Sequence, residues 1–216
     1  MTRNFLIAFL LVTTSTVSAQ NVTPVVAGQY RQFTAEERWG WFIHSAAGPV
    51  SLAVGLVSAG LDTARNSPHE YGPHWEGFGR RYGSRIADRV IVSGIEAGVG
   101  SLWGEDPRYY RVSEKSAGKR VLNAVKMTVI THDRSGQEMP AYARFIAVPA
   151  SAFASNAWRP ESRNSNGDAL NRVATSFVTR IAANAFSEFW PDIRRRVFHR
   201  RSGAALATGP DADAIR

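Results

Sequence analysis

A run of 23 residues without Asp, Glu, Lys or Arg, from Trp39 to Leu61, constrains this chain more than any other feature of its 216 residues. Its most apolar part begins at Ile43 and would span about 28 Å as a helix at 1.5 Å per residue, which is close to the thickness of a bilayer core. Gly48 and Pro49 interrupt the run, and proline removes a backbone donor and clashes with the preceding helical turn. We therefore predict a helix that is kinked or split at this point.

The rest of the chain alternates apolar helical segments with breaks that contain proline or glycine. Capping boxes, in which a hydroxyl and an acidic side chain satisfy reciprocal backbone donors, predict helix starts at Thr34 and near Ser165. Further helices are predicted over about 81–103, 117–131, 140–158 and 192–201. No segment shows the alternation and hairpin turns typical of a sheet. We predict an all-α bundle of about five helices with proline breaks, as one domain over 34–201 with a disordered tail at 202–216.

Small residues recur at every fourth position on three of these segments. They are Ala47, Ser51, Gly55, Ala59 and Thr63; Ser93, Ala97 and Ser101 with Gly94 and Gly98; and Ala143, Ala147, Ser151 and Ser155. Such a strip lets two helix backbones approach closely, which in lipid replaces the missing hydrophobic attraction between helices. Tightly packed water-soluble helices carry the same strip. Because only seven of the nineteen residues 43–61 are Ile, Leu or Val, insertion would be marginal, and a membrane-embedded bundle and a soluble one both stay open.

The N-terminal residues 1–19 have the pattern of a secretory signal peptide. One basic residue, Arg3, precedes an apolar run over 5–12, and small residues near Ala19 supply a cleavage site. The apolar run is shorter than the roughly 20 residues that span a bilayer. We predict export to the cell envelope, either periplasm or membrane, with 20–33 as a linker. The chain has no cysteine, which excludes a lipidated N-terminal cysteine and zinc–thiolate sites.

The formal net charge of +8 rests almost entirely on arginine, with 23 Arg and 3 Lys. Guanidinium groups pair well with phosphate and carboxylate, and several of these arginines lie beside aromatic residues or in the basic C-terminal segment. We predict that they bind membrane lipid head groups or another anionic envelope surface, and not nucleic acid, which an exported protein does not meet. The candidate head-group residues are Arg80, Arg81, Arg108, Arg111, Arg194, Arg195, Arg196, Arg200 and Arg201.

Tryptophan marks the ends of the apolar segments. Aromatic rings at such positions are typical of a membrane–water boundary, although packing at helix ends in a soluble core explains them equally well. The candidate membrane-interface residues are Trp39, Trp41, Trp103, Trp158 and Trp190. The small-residue strips would pack with each other or with a second copy of the chain, so a homo-oligomer is a further possible partner arrangement.

A second hypothesis is a soluble periplasmic enzyme or metal-binding protein that uses the loop from His69 to Glu76. Two imidazoles and two carboxylates fall within eight residues, a set that could ligate a metal. These residues are His69, Glu70, His74 and Glu76. Gly72 and Pro73 rule out the continuous helix of a His-Glu-x-x-His enzyme.

The carboxylates Glu105 and Asp106 would accompany that loop in an enzyme. A helix cap with ion pairs to Arg108 and Arg111 explains them better. No Gly-x-Ser-x-Gly motif and no phosphate-binding glycine loop is present. We therefore predict a structural or binding protein without a cofactor.

Four segments of the chain carry a family resemblance. They are Asp62-Thr-Ala-Arg-Asn-Ser-Pro68, Trp75-Glu-Gly-Phe-Gly-Arg-Arg-Tyr-Gly-Ser84, Glu105-Asp-Pro-Arg-Tyr-Tyr-Arg111 and Glu188-Phe-Trp-Pro-Asp-Ile193. In this order they resemble segments of a family of uncharacterised exported bacterial envelope proteins, over about residues 34–200. The resemblance implies an envelope protein. It implies no catalytic residues, because that family has no assigned activity.

Overall fold

The computed structural model describes residues 30–112 and 116–206, with the backbone alone for 196–206. Six helices and one short hairpin within these ranges form a helical bundle, which confirms the all-α prediction. The helices are α1 (Ala35–Ala47), α2 (Pro49–Ala64), α3 (Trp75–Trp103), α4 (Ala117–Val129), α5 (Tyr142–Ala154) and α6 (Asn166–Leu206). The central helix is α3, which packs against α1, α2 and α5, while α6 packs on α4 and α5. The predicted signal peptide and most of the linker lie outside the described residues.

The cap at Thr34 and the break at Gly48 that the sequence predicts are both present. The Thr34 hydroxyl accepts a hydrogen bond from the backbone N–H of Glu37 at 3.2 Å, and the Glu37 carboxylate accepts one from the Thr34 N–H at 3.0 Å. Gly48 separates α1 from α2, and Pro49 is the first residue of α2. A side chain at Gly48 would clash, because its Cβ would lie 2.3 Å from the carbonyl oxygen of His44. The split at this point is therefore confirmed.

Two boundaries near the middle of the chain differ from the prediction. α3 begins at Trp75 and not near 81, because Gly77 brings its first turn against the carbonyl oxygens of Tyr71 and Gly72. The strands β1 (Ile130–His132) and β2 (Glu138–Pro140) form an antiparallel hairpin between α4 and α5. Its turn contains Gly136 at φ +83°, a conformation that favours glycine.

α6 continues through Pro191, where the sequence predicts a break. Arg120 of α4 holds this turn from outside, since its guanidinium donates to the carbonyl oxygen of Glu188 and pairs with the Asp192 carboxylate at 2.5 Å. These contacts offset the backbone hydrogen bond that proline cannot donate. The helix extends to Leu206, five residues into the segment 202–216 that the sequence predicts as a tail. Residues 207–216 lie outside the described residues.

Small residues fill the space between the helices. The predicted strip on α5 is buried throughout, from Ala143 to Ser155. Of the eleven buried apolar residues in the described ranges, nine are alanine and the others are Met127 and Val148. The small-residue strip of α5 therefore faces the interior of the bundle. The unusual result is that none of the described Leu, Ile, Phe or Trp side chains is buried.

Candidate functional site

Large apolar side chains face outward on all six helices of the described structure. On α1 and α2 they are Trp39, Ile43, Val50, Val54, Val57 and Leu61, which we call the apolar stripe. The other helices carry similar exposed positions, among them Val121, Leu122, Val125 and Val129 on α4; Phe145, Ile146 and Phe153 on α5; and Leu170, Val178, Phe186 and Ile193 on α6. We call these positions the apolar faces. A water-soluble monomer rarely exposes contiguous apolar surface of this extent.

The stripe on α1 and α2 belongs to the segment with the longest uncharged run. By length and composition, Ala35–Ala64 is the one helical segment within the described ranges that could cross a membrane. Only 22% of its most apolar 18-residue window is buried inside the protein. The core helix of a soluble protein would be mostly buried, so this segment does not serve as an ordinary hydrophobic core.

Charged side chains are buried in the interior of the bundle, where large apolar side chains are absent from the described residues. Glu96 of α3 is 3% exposed and accepts hydrogen bonds from Arg144 at 3.1 Å and from Arg180 at 2.5 Å. Arg144 is equally buried and also donates to the backbone carbonyls of Met127 and Thr128. Burial and the neighbouring charge of Arg180 lower the pKa of Arg144 to about 10, with Glu96 opposing the shift. The guanidinium therefore stays charged at neutral pH and joins α5 to α3 and α4.

The two adjacent carboxylates after α3 are buried and accept hydrogen bonds. Glu105 accepts hydrogen bonds from the Ala143 N–H at 2.8 Å and from the Trp103 indole. Asp106 accepts from the Arg108 guanidinium at 2.6 Å and from the Tyr110 hydroxyl. Burial, followed by the hydrogen bond to Asp106, raises the pKa of Tyr110. These contacts tie the segment after α3 to the start of α5.

The predicted head-group residue Arg81 is buried, at 3% exposed. Its guanidinium donates to the carbonyl oxygens of Ser67 at 2.9 Å, Pro68 at 2.7 Å and Gly72 at 2.8 Å. All of these acceptors belong to the turn between α2 and α3. The donors of Arg81 are therefore used inside the fold, and its binding of head groups stays a prediction.

The other predicted head-group residues divide into four groups. Arg108 pairs with Asp106 and donates to the backbone carbonyl of Arg31, so it too is engaged within the fold. Arg111 is half-buried, and its Nε atom has no hydrogen-bond partner. Exposed guanidinium groups that could meet an anionic surface belong to Arg80, Arg194 and Arg195. Arg196, Arg200 and Arg201 lie in the part of α6 for which the structure describes the backbone alone.

The predicted interface tryptophans are not equivalent. Trp39 is 65% exposed and Trp103 is 39% exposed. The remaining three, Trp41, Trp158 and Trp190, are half-buried, and the Trp190 ring packs on Phe186. The most exposed tryptophan, at 81%, is Trp75 at the start of α3, which the sequence prediction did not include.

The predicted metal-ligand loop is exposed and its side chains point to other partners. Glu76 pairs with Arg80 at 2.7 Å, one turn along α3. Glu70 accepts a hydrogen bond from the backbone N–H of Ser162, and His69 lies 3.4 Å from the same carboxylate. In the described ranges, no group of three or more His, Asp or Glu side chains is placed to hold a metal ion. The four predicted ligands, His69, Glu70, His74 and Glu76, accordingly form no such group.

A polar groove of about 1210 Å³ lies among α2, α3, α6 and the segments around them. Ten arginines and four carboxylates line it. The lining arginines are Arg31, Arg81, Arg85, Arg89, Arg108, Arg111, Arg159, Arg163, Arg172 and Arg180. Two further carboxylates that do not line the groove, Glu96 and Asp106, pair with Arg180 and Arg108. Four arginines still remain in excess, so we call this feature the arginine groove.

The sequence prediction named Arg81 but missed the other central arginines of this groove, which are Arg85, Arg89, Arg172 and Arg180. Arg81, Arg85 and Arg89 follow each other at four-residue spacing on α3, and Arg172 and Arg180 lie eight residues apart on α6. Such spacings place side chains on one helix face. This pattern was the available signal, but it does not reveal that the two faces meet.

Comparisons with protein-family models, with curated proteins and with solved structures give no match to this chain. The family resemblance of the four segments therefore stays a prediction. The structure does give these segments a physical role, because Arg81 of the second contacts the first, and Tyr109 of the third donates to Glu188 of the fourth at 2.6 Å.

Proposed function

We propose that this chain is an exported envelope protein, associated with or embedded in a membrane, that acts as a structural or binding component. The observation that carries the proposal is the distribution of polarity. Large apolar side chains lie outside on all six helices, while alanine, serine and paired charges lie inside. A protein surrounded by water normally has the opposite distribution.

Lipid accounts for both halves of this distribution. Between helices in lipid, association relies on close packing of small residues and on polar side-chain contacts, because the solvent is as apolar as the side chains. Ionisable residues inside a membrane face the bundle interior and pair with each other. The buried strip on α5 and the Glu96–Arg144–Arg180 cluster match these two requirements.

A second copy of the chain explains the apolar faces less completely. A two-fold interface uses one self-complementary patch, whereas the exposed apolar positions are spread over every described helix. We therefore favour lipid as the main partner, with a homo-oligomer as an addition to it. Soluble behaviour with a dimeric mass would instead favour the second copy.

Fractionation of cells that express the untagged chain tests the proposal. We expect the protein in the membrane fraction, and we expect the purified chain to sediment with vesicles that contain phosphatidylglycerol at low salt. Recovery in the soluble periplasmic fraction, without sedimentation, would contradict it.

Charges introduced into the apolar stripe are expected to release the protein from vesicles. Val54 and Val57 are 52% and 46% exposed, so Val54→Asp with Val57→Asp adds no charge to a packed interior. An aspartate at the centre of an inserted helix costs about 2.5–3.5 kcal/mol, which predicts loss of nearly all sedimentation by the double variant. Vesicle flotation measures this loss.

The matched control adds the same two charges away from the apolar faces, as Gln32→Asp with Gln137→Asp. Both positions are exposed, and this variant should sediment like the unchanged protein. Equal sedimentation of the two double variants would show that the stripe does not contact lipid.

Removal of the exposed arginines on α6 is expected to weaken binding to anionic vesicles only. A cation near an anionic membrane surface contributes about 1 kcal/mol, so Arg194→Gln with Arg195→Gln should lower the affinity by about tenfold or more at low salt. The difference should fade as salt screens the charges. Binding to vesicles of phosphatidylcholine alone should not change, and an equal loss on both kinds of vesicle would contradict a head-group role.

A further inference from the structure

Arg89 of the arginine groove has no carboxylate partner among the described residues. Arg89 of α3 is half-buried, and its guanidinium donates to the Ser51 hydroxyl at 3.3 Å. No carboxylate within the described ranges pairs with it, and Ser51 is its one hydrogen-bond acceptor there. A partly buried cation without an anion is costly, so a fold that keeps one at this position is expected to use it.

The groups around Arg89 do not supply the missing negative charge. Arg85 pairs with Asp62, Arg159 pairs with Asp88, and Arg180 shares Glu96 with Arg144. Burial, with the positive charges of Arg180 and Arg85, lowers the pKa of Arg89. Each neighbouring carboxylate thus already has an arginine partner, and the charges that act on Arg89 are positive.

The remaining wall of the groove offers hydrogen-bond donors suited to an oxyanion. Arg172 of α6 donates to the carbonyl oxygens of Ala152 and Arg163 and to Asn156, while its Nε atom has no hydrogen-bond partner. No carboxylate within the described residues forms an ion pair with it. Thr179 lines the same groove from α6. Arginine forks bind phosphate through paired, charge-assisted hydrogen bonds.

We propose that the arginine groove binds a phosphate-bearing ligand, with Arg89 as a direct contact and Arg85 and Arg180 as neighbouring positive charges. The volume of about 1210 Å³ admits a phosphate together with a polar group such as glycerol. This inference does not depend on membrane association, because the groove is separate from the apolar faces. A free phosphate ester and a lipid head group would present the same chemistry to it.

Titration calorimetry on the full chain in an uncharged detergent tests the site. The probes are glycerol 3-phosphate, dioctanoyl phosphatidylglycerol and, as the uncharged control, glycerol. We expect one phosphate-bearing probe or both to bind near 1:1, and glycerol not to bind. Binding of both identifies the phosphate as the recognised group, and binding of the lipid alone identifies a lipid head group. Binding of neither phosphate probe would overturn the proposal.

Arg89→Gln separates the groove from the rest of the protein. We expect at least a tenfold weaker affinity for the phosphate probe, because the variant loses a charge-assisted contact. Without ligand, we expect the Tm to stay the same or to rise by about 2–4 °C, since an unpaired half-buried charge is removed. The control is Arg65→Gln, an exposed arginine outside the groove, which should bind as the unchanged protein does.

Unchanged affinity in a folded Arg89→Gln protein would overturn the assignment. Vesicle sedimentation of the same variant provides the link to the proposed function. If the chain proves soluble but binds glycerol 3-phosphate through Arg89, the membrane proposal fails and the groove assignment stands.

Discussion

Replacing Glu96 by alanine is expected to lower the free energy of unfolding by about 3–5 kcal/mol. Glu96 is the shared partner of Arg144 and Arg180, and Arg144 is 3% exposed. Removal of the Glu96 carboxylate leaves the buried Arg144 guanidinium with two backbone carbonyl oxygens as its remaining acceptors. Thermal and chemical denaturation in detergent, followed by far-UV circular dichroism, measures the loss.

Two further variants separate the buried charge from a general effect of removing a carboxylate. Asp62→Ala breaks the pair with Arg85 at a partly exposed site, and such pairs contribute about 0–1 kcal/mol. Adding Arg144→Met to Glu96→Ala removes the orphaned charge and should recover part of the stability. A Glu96→Ala protein as stable as Asp62→Ala would show that the cluster does not hold the bundle together.

Local signals in the sequence predicted much of the fold. The capping box at Thr34, the break at Gly48 and the small-residue strip on α5 each depend on residues within a few positions of each other. The start of α3 and the continuation of α6 through Pro191 were missed, because Gly77 and Arg120 act on segments that local patterns do not connect. Such contacts are set by packing and not by propensity.

The candidate site was less predictable than the fold. Clusters of arginine in sequence suggested surface cations, yet Arg81 is buried while its neighbour Arg80 is exposed. The partners that matter are distant along the chain, as with Arg180 and Glu96, which are 84 positions apart. The spacing of Arg85 and Arg89 predicts that both side chains lie on one face of a helix. It does not predict which other helices contact that face.

The adjacent residues Arg80 and Arg81 provide the second large prediction, because they have the same side chain in opposite environments. Arg81→Met would leave the carbonyl oxygens of Ser67, Pro68 and Gly72 without this donor. An unsatisfied buried polar group costs about 1–3 kcal/mol, so we expect destabilisation of about 3 kcal/mol or more. Arg80→Met removes an exposed pair with Glu76 and should change stability by less than about 1 kcal/mol.

Gly77→Ala tests the same turn without changing any charge. A Cβ at this position would lie 2.3 Å from two carbonyl oxygens and 2.8 Å from the Arg81 guanidinium, so the turn must move away from Arg81. We expect a drop in Tm comparable to that of Arg81→Met, measured by the same denaturation experiments. If instead Arg81→Met keeps its stability but no longer binds anionic vesicles, Arg81 meets head groups after all, and the turn between α2 and α3 must open to release it.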